Sequence, residues 1–367
     1  MIFGLFFILA IYISSILLLI YGFSRIRTYR KKNFEPKTSF TIIVPFRNEE
    51  ENLPILLESF SKLNYPENLF KVILVDDSSN EKFQVLNSKF QVSVIDNIRV
   101  SKSPKKDAIT TAMRQVKTDW VITTDADCVV PENWLATFDN YIQENQVSML
   151  AGAVTYKCES LFLDHFQQLD LTSLQGATIG SFGLNKGFMC NGANLAYTKA
   201  LFESVNGFEG NDKIASGDDV FLLQKAIEKF PNKVQYLKAD EAIVTTKPTE
   251  NWKALFHQRV RWAAKTSSYK STFGKFLGFI VFFGNLSFVI GFFLVVFRIW
   301  PYPIFVIFAF SKFSIDFILL SITNRFLTKT RIKSLLLSSL LYPFFSSAVA
   351  LYSLFGSYEW KDRKFKK

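Results

Sequence analysis

Two aspartates at alternate positions are the residues best placed in this sequence to bind a metal ion. Residues 121–131 read VITTDADCVVP, in which an apolar run leads to Asp125 and Asp127. On extended backbone, residues i and i+2 lie on the same side of the chain, so both carboxylates can bind one divalent cation. Such a cation can in turn hold a diphosphate. Acidic residues at strand ends are commonly just solvated, so the interpretation depends on the neighbouring motifs.

Short apolar runs alternate with amphipathic stretches from residue 39 onward, which predicts strands and helices in alternation. Strands are predicted by SFTIIVPF, by KVILVDDSS and by the runs at 91–95 and 119–124. Alternation of this kind indicates a mostly parallel sheet, whose ligands bind beyond the carboxyl ends of its strands. Asp76 and Asp77 follow one such strand, as Asp125 and Asp127 follow another. The first pair also fits an ordinary turn.

A helix is predicted at 105–116, between the strands at 91–95 and 119–124. After Asp127, the sequence predicts a helix around 160–175 and an irregular Gly-rich stretch at 176–194. Next, GDDVFLLQKAIEKF places Asp218 and Asp219 in the first turn of a helix, whose positive end stabilises negative charge. Asp218 can simply cap this helix. In the functional interpretation, Asp219 faces a pocket as a general base.

Residues 249–270 predict an amphipathic helix at a membrane interface, because their apolar side chains recur at helical spacing. At about 100° per residue, Gln258, Arg261 and Trp262 fall together on a separate face of this helix. A Trp beside an Arg at a membrane surface is either an anchor or part of a functional motif.

Apolar residues are concentrated at the two ends of the chain, which has 367 residues and is 49% hydrophobic. Residues 2–21 carry no charge, and 276–297, 299–322 and 334–355 are also long enough to cross about 30 Å of hydrocarbon. The first segment is followed by the basic residues Arg25, Arg27, Arg30, Lys31 and Lys32. The positive-inside rule therefore predicts a protein of the cytoplasmic membrane with the middle of its chain in the cytoplasm. A cleaved signal peptide is the less favoured alternative.

The net charge of +11 does not indicate nucleic acid, because much of the basic charge flanks apolar segments and fits anionic lipid headgroups. We therefore expect membrane lipids as partners and no nucleic acid. The three cysteines, Cys128, Cys158 and Cys190, have no paired spacing, which argues against a disulfide framework or a zinc site.

The C-terminal membrane region allows two or three spans. Three spans after a cytosolic domain would put the basic tail outside, against the positive-inside rule. Pro343 makes 334–355 the best candidate for a re-entrant or interfacial hairpin. Lys312 and Asp316 lie four residues apart in an apolar run, where they form either a structural ion pair or part of a functional path.

Taken in order, these motifs closely resemble those of the family 2 glycosyltransferases. The matching stretches, which span about residues 38–265, are TIIVPFRNEEENL, VDDSS, SPKKDAI, TTDADCVVPENWL, GANLAY, GDDVFLL and HQRVRW. They look in particular like the membrane-embedded branch with DxD and QxxRW motifs, which includes cellulose, hyaluronan and poly-N-acetylglucosamine synthases and ceramide glucosyltransferase. The resemblance implies an α/β fold of the GT-A type, Rossmann-like with a mostly parallel sheet and flanked by transmembrane helices. It also implies a nucleotide-sugar donor, usually a UDP-sugar, and inversion at the anomeric carbon.

The resemblance assigns donor-side roles to residues of three motifs, VDDSS, SPKKDAI and TTDADCVVPENWL. Asp76 and Asp77 match the acids that hold the nucleoside, and Lys105 matches the lysine near the diphosphate. Asp125 and Asp127 match the DxD pair that binds Mn²⁺ or Mg²⁺, the second acid being the expected metal ligand. The glycines usual beside the lysine are absent here, where the chain reads SPKKDAI.

The resemblance assigns the remaining roles to residues of GDDVFLL and HQRVRW. Asp219 matches the catalytic base, and Asp218 stands where the family usually has Glu, at the acceptor site. Arg261 of QxxRW is expected to bind the donor diphosphate, whereas Gln258 and Trp262 are expected at the acceptor site, with Trp262 lining its entrance.

These interpretations divide the chain into five parts. They are an N-terminal transmembrane helix (1–24), a cytosolic GT-A domain (38–248), an interface helix with QxxRW (249–273), a C-terminal transmembrane region (274–356) and a basic tail (357–367). The predicted function is transfer of a hexose or N-acetylhexosamine to a lipid or growing glycan acceptor. At most four spans slightly favour a lipid over processive synthesis of an extracellular polysaccharide. An inactive scaffold subunit is the alternative from another class, but the expected acids and Arg261 are all present.

Overall fold

The computed structural model describes residues 2–85, 88–159, 161–211, 216–330, 333–355, 358–360 and 363–365. The chain divides into two units. The sheet unit consists of Arg27–Lys157 and Met189–Lys247. The helical unit consists of Met1–Ile26, Cys158–Phe188 and Pro248–Lys367.

Strands and helices alternate through the first half of the sheet unit, as predicted. The strands are β1 (Phe40–Phe46), β2 (Phe70–Asp76), β3 (Gln91–Asp96), β4 (Trp120–Thr123), β5 (Met149–Gly152), β6 (Val154–Tyr156), β7 (Leu195–Thr198), β8 (Val234–Leu237) and β9 (Val244–Thr246). The α-helices of the described residues are α1 (Ile2–Arg25), α2 (Leu53–Ser61), α3 (Pro104–Met113), α4 (Trp134–Glu144), α5 (Phe162–Gly183), α6 (Lys199–Ser204), α7 (Asp218–Lys229), α8 (Trp252–Ala264), α9 (Thr272–Val296), α10 (Tyr302–Leu327) and α11 (Leu335–Phe355).

Seven of the described strands form one mixed sheet in the order β3-β2-β1-β4-β7-β5-β8. Strand β7 runs antiparallel to both of its neighbours, and the other neighbouring pairs are parallel. Strands β6 and β9 pair in parallel as a separate small sheet. The predicted mostly parallel α/β sheet is therefore confirmed, with one reversed strand that the sequence pattern did not show.

The core of the sheet unit explains why its central strands are almost continuously apolar. Ile42, Leu74 and Ile122, from β1, β2 and β4, pack with Leu53 of α2 and Trp134 of α4 in one buried cluster. A parallel strand that is covered on both faces buries successive side chains, so it does not alternate with polar residues.

The register of the parallel strands brings two acidic motifs to one edge of the sheet. Strand β1 pairs with β2 so that Phe46 lies opposite Asp76, and with β4 so that Ile43 lies opposite Thr123. The carboxyl ends of β2 and β4 therefore point the same way. Asp77 follows β2 directly and Asp125 follows β4 after one residue, so the predicted acidic edge is formed.

In the described part of the helical unit, four helices are long and apolar enough to cross a membrane, as predicted: α1, α9, α10 and α11. The prediction of a hairpin at Pro343 is wrong, because α11 is one continuous helix with this proline inside it. Within the predicted basic tail, β10 (Tyr358–Trp360) and β11 (Arg363–Phe365) pair antiparallel. Residues 357, 361, 362, 366 and 367 of that tail lie outside the described residues.

Helix α5 differs most from the sequence prediction. It continues to Gly183, through much of the stretch predicted to be irregular. Gly180 and Gly183 lie where the backbone of α5 meets that of α1: a Cβ on Gly180 would lie 2.5 Å from the carbonyl oxygen of Leu19, and one on Gly183 would overlap the carbonyl oxygen of Gly22. Since α5 belongs to the helical unit, residues 158–188 interrupt the stretch 38–248 that was predicted as one domain.

This contact predicts that Gly183→Ala destabilises the protein. Alanine normally favours a helix over glycine by about 1 kcal/mol. Here its methyl group would overlap the backbone of α1, and forced separation of packed elements costs about 1–3 kcal/mol. We expect a lower midpoint of thermal unfolding in detergent for this variant. Gly4→Ala is the matched control, because a Cβ on Gly4 of α1 meets nothing within 4 Å. Equal midpoints for the two variants would contradict the close helix contact.

Candidate active site

Lys105 lies within a cluster of carboxylates in the sheet unit. It belongs to the first turn of α3, and its Nζ lies 2.6 Å from Oδ1 of Asp125 and 3.5 Å from Oδ2 of Asp218. Burial by itself lowers the pKa of Lys105, but the charges of Asp125, Asp218 and Asp219 outweigh burial and raise this pKa above its ordinary value. Lys105 is therefore a cation at neutral pH that joins acids from two separate motifs.

The next residue, Lys106, has a different role. Its side chain is buried, its Nζ donates a hydrogen bond to the carbonyl oxygen of Asn211 at 2.6 Å, and this atom lies 4.9 Å from the centre of the Phe221 ring. Such an ammonium group fixes the start of α3 by a hydrogen bond and a cation–π contact. Of the two adjacent lysines, one anchors the helix and the other contacts the acids.

The two DxD acids have opposite electrostatic surroundings. Asp125 pairs with Lys105, whereas burial and the charges of Asp125 and Glu49 raise the pKa of Asp127 to about 6. A hydrogen bond from Thr246 only partly opposes this shift. Carboxylate oxygens are the ligands that Mg²⁺ and Mn²⁺ prefer, and a cation relieves repulsion between them. The pair therefore fits a divalent cation.

These two carboxylates do not form a complete metal cage. Among the described residues there is no group of three or more His, Cys, Asp or Glu side chains arranged to hold a metal. A cation bound by Asp125 and Asp127 would need further oxygen ligands from water or a substrate. Such partial coordination by protein is the usual arrangement for Mg²⁺ at phosphate-binding sites.

The acids of the GDD motif both face this cluster. Gly217 precedes α7 with a φ of 86°, a left-handed conformation that suits glycine. Asp218 points toward Lys105, so it does more than cap the helix. Oδ2 of Asp219 accepts a hydrogen bond from the backbone N–H of Gly192 at 3.0 Å. The structure thus brings Lys105, Asp125, Asp218 and Asp219 together.

Gly192 is a site residue that the sequence analysis did not single out. A Cβ at this position would lie 3.1 Å from both Lys105 Nζ and Asp218 Oδ2. Asn194, two residues later, is fully buried: its Oδ1 accepts from Trp134 Nε1 at 3.0 Å, and its Nδ2 donates to two backbone carbonyls. These bonds fix the short segment that presents the Gly192 amide to Asp219. The motif GANLAY contained the signal, as a glycine and a polar residue before an apolar strand.

Asp76 and Asp77 are held by hydrogen bonds within the protein. Oδ1 of Asp76 accepts from the backbone N–H of Ser79 at 2.8 Å, which is the turn chemistry considered above. Asp77 accepts from Asn97 Nδ2 at 2.7 Å and pairs with Arg99 at 3.3 Å. The sequence analysis missed Asn97 and Arg99, which follow β3 at the same edge of the sheet. The predicted contact of these acids with a nucleoside stays a prediction.

The QxxRW residues lie in α8 of the helical unit, around an arginine that the sequence analysis missed. The guanidinium of Arg259 lies over the Trp262 ring at 4.2 Å, contacts the side-chain oxygen of Gln258 and forms an ion pair with Asp170 of α5. Arg259 and Asp170 are both buried. The signals in the sequence were a second Arg inside HQRVRW and an Asp within an amphipathic helix. The structure places Gln258 and Trp262 beside Arg259, and the roles predicted for the motif remain untested.

The sheet, the acids at its edge and the segment around Gly192 define the fold class. The mannosyltransferase PcManGT from Pyrobaculum calidifontis superimposes with a TM-score of 0.57 at 15% sequence identity, over 96% of this chain and 99% of that one. This likeness confirms the predicted GT-A fold. Residues 41–205 match the model of Glycosyl transferase family 2. This stretch is slightly less than half of the chain, and it lies within residues 38–265, whose motifs resemble that family.

Three relatives with similar sequences are named as glycosyltransferases. The probable glycosyltransferase YdaM of Bacillus subtilis is 23% identical over 246 residues, covering 64% of this chain and 56% of YdaM. The glycosyltransferase AglE of Haloferax volcanii is 21% identical over 194 residues, covering 51% and 61%. The poly(ribitol-phosphate) β-N-acetylglucosaminyltransferase TarS of Staphylococcus aureus is 27% identical over 117 residues, covering 30% and 20%. This chain thus spans less than two thirds of each of these relatives.

The opposite surroundings of the DxD acids predict opposite effects on stability. Because the pKa of folded Asp127 is raised from 3.8 to about 6, its ionised carboxylate costs folding free energy above pH 6, and this cost is gone below pH 4. At about 1.4 kcal/mol per pKa unit, Asp127→Asn should stabilise the metal-free protein at pH 7 by about 1–3 kcal/mol. Asp125→Asn loses its ion pair with Lys105 and should not stabilise it.

Thermal unfolding in EDTA at pH 7 and pH 5 measures this difference. The gain from Asp127→Asn should shrink at pH 5, where part of the wild-type Asp127 population is protonated. If both variants shift the unfolding midpoint equally and independently of pH, the two acids do not differ as described.

The buried pair of Arg259 and Asp170 predicts that removing one charge strongly destabilises the protein and that removing the second charge compensates for this loss. Asp170→Leu leaves a buried guanidinium without its carboxylate and should cost about 3–5 kcal/mol. The double variant Asp170→Leu, Arg259→Met replaces both charges by apolar groups and should recover most of the loss. Thermal unfolding in detergent of Asp170→Leu, of Arg259→Met and of the double variant gives the coupling energy between the two side chains. A coupling near zero would show that the two side chains act independently.

Proposed function

We propose that this protein is a metal-dependent, inverting glycosyltransferase that moves a hexose or N-acetylhexosamine from a nucleotide sugar to a membrane-associated acceptor. The match of residues 41–205 to the model of Glycosyl transferase family 2 supports the reaction class. A UDP-sugar is the proposed donor, and a lipid is the favoured acceptor.

The observation that carries the proposal is the juxtaposition of a carboxylate base with a cation at the carboxyl edge of the sheet. Lys105 contacts Asp125 and Asp218, while Asp219 is held by the Gly192 amide in the same cluster. Glycosyl transfer needs both functions, since a proton must leave the acceptor hydroxyl while negative charge develops on the leaving diphosphate. An isolated acidic loop would not provide a partly buried cation.

In the proposed reaction, Asp219 takes the proton of the acceptor hydroxyl. The hydroxyl oxygen forms a bond to the anomeric carbon as the bond from that carbon to the diphosphate oxygen breaks. Attack opposite to the leaving group inverts the anomeric configuration. The nucleoside diphosphate leaves with the bonding electron pair, and Lys105 stabilises its charge in a partly buried setting where charges interact more strongly than in water.

Asp125 and Asp127 are the residues proposed to hold Mn²⁺ or Mg²⁺. A bound divalent cation would supply charge stabilisation to the diphosphate. Mn²⁺ and GDP-mannose are present in the structure of PcManGT, which supports metal use with this fold. The roles predicted for Asp76 and Asp77 at the nucleoside, Arg261 at the diphosphate, and Gln258 and Trp262 at the acceptor rest on the motif resemblance alone.

Four apolar helices support an acceptor that is itself held at a membrane. The basic residues that follow α1 favour a cytoplasmic position for the sheet unit, by the positive-inside rule. The names of the relatives support two sugar classes for testing, mannosyl and N-acetylglucosaminyl.

The test measures release of nucleoside diphosphate from UDP-N-acetylglucosamine, UDP-glucose and GDP-mannose by the lipid-reconstituted protein, with Mn²⁺, Mg²⁺ or EDTA. Asp219→Asn should lower turnover by about 10²- to 10⁴-fold, the usual contribution of a general base, while donor binding persists. Asp119→Asn is the matched control, because Asp119 is exposed and precedes β4, at the opposite end of that strand from Asp125. Asp119→Asn should keep wild-type turnover.

Mass analysis of the lipid fraction identifies the product. A mass increase of one sugar per lipid supports the proposed single transfer. A ladder of masses or an insoluble polymer would replace it by processive polysaccharide synthesis. Donor binding without turnover, equal in wild type and Asp219→Asn, would argue for a catalytically inactive protein.

A further inference from the structure

The helical unit contains a cavity of about 140 Å³ that the proposed reaction does not use. Side chains from α1, α5, α9, α10 and α11 line it, and most of them are apolar. Four of those helices are the candidate membrane spans. The cavity is therefore a space among helices that are suited to a lipid environment.

One wall of the cavity carries a neutralised group of charges. Lys312 Nζ donates to Oδ2 of Asp316 at 2.8 Å and lies 4.7 Å from the centre of the Tyr12 ring. The hydroxyl of Tyr12 donates to the other oxygen of Asp316 at 2.6 Å. Lys312 is almost fully buried, while the Asp316 side chain keeps 22% of its surface accessible. The carboxylate can thus accept a further hydrogen bond from a molecule in the cavity.

A second lining carboxylate is also neutralised. Asp170 forms its ion pair with Arg259, so both acids in the wall already have a basic partner. An anionic headgroup would have to displace a carboxylate from its cation and would then face that carboxylate at close range. Since like charges in a low-dielectric setting repel strongly, this cavity selects against phosphate and carboxylate ligands.

Ser338 provides an independent indication of a polar ligand. It lines the cavity from α11 and is only 3% exposed, yet its hydroxyl has no hydrogen-bond partner in the described part of the chain. Buried hydroxyl groups are normally satisfied, because an unmade hydrogen bond in an apolar setting costs free energy. Most of the other lining side chains are apolar, so they offer ordered water few of the two to four polar partners that each buried water needs.

We propose that this cavity binds the hydroxyl-bearing end of a neutral lipid, such as a diacylglycerol. The apolar walls contact the start of the lipid chains, and the lipid hydroxyl bonds to Ser338 and to Asp316. This proposal concerns a binding site within the helical unit and does not depend on the transfer reaction.

The test is native mass spectrometry of the full-length protein in detergent, titrated with dioleoylglycerol or with dioleoyl phosphatidic acid. The two lipids have the same acyl chains, but dioleoylglycerol carries a hydroxyl where phosphatidic acid carries a phosphate. We expect dioleoylglycerol to bind at least about tenfold more tightly, because charge selection opposes the phosphate. Equal or tighter binding of phosphatidic acid, or no binding of either lipid to the folded protein, would overturn the proposal.

Variants of Ser338 locate the bound lipid. Ser338→Ala removes one hydrogen bond and should weaken dioleoylglycerol binding about fivefold, and Ser338→Phe should abolish it by filling the cavity. Ser347→Ala is the matched control, since Ser347 lies on the same helix but does not line the cavity, and its similarly buried hydroxyl has no hydrogen-bond partner among the described residues. It should bind as wild type does. If Ser338→Phe is not monodisperse, Ser338→Ala decides: wild-type affinity in that variant would place the lipid elsewhere.

Discussion

The contact between Lys105 and the surrounding carboxylates is the interaction on which the rest of the site depends. Asp125 follows β4 and Asp218 begins α7, so the two acids are far apart in the chain. Both contact Lys105, and the two carboxylates would repel each other without this shared cation. The position of Lys105 depends in turn on the buried anchor of Lys106 and on the absence of a side chain at Gly192. Charge compensation at one ammonium group thus connects a strand end, a helix start and a glycine turn.

Much of the sheet unit could be predicted from the sequence, because the signals are local. Apolar runs marked β1 to β4, and the parallel order that they implied put Asp77 and Asp125 at one edge. The partners of these acids could not be predicted in the same way. Arg99 reaches Asp77 across 22 residues that include β3, and Lys105 reaches Asp218 across more than a hundred residues, so neither contact leaves a periodic signal. The reversed strand β7 was missed because a short apolar strand has no sign of its direction.

In the helical unit, the long apolar segments could be predicted, whereas the extent of α5 and the contact of Arg259 could not. Its long apolar segments were found within a few residues, since hydrocarbon thickness imposes a length that composition reveals directly. Helix α5 was cut short in the prediction because glycine disfavours helices in isolation, whereas here contact with α1 requires it. Arg259 was overlooked for a related reason: only its buried partner Asp170 distinguishes it from a solvated arginine on an interface helix.

The passage of the chain through α5 has a consequence for the order in which the sheet can be completed. Strand β5 is made before this helix, but both of its neighbours, β7 and β8, are made after it. At translation rates of about 5–20 residues per second, β5 waits for seconds without a pairing strand. One edge of β4 waits longer still, because β4 is made before β5 and also pairs with β7. The nascent protein therefore carries open strand edges until α5 has emerged, and no continuous N-terminal fragment that stops before this helix can close the sheet.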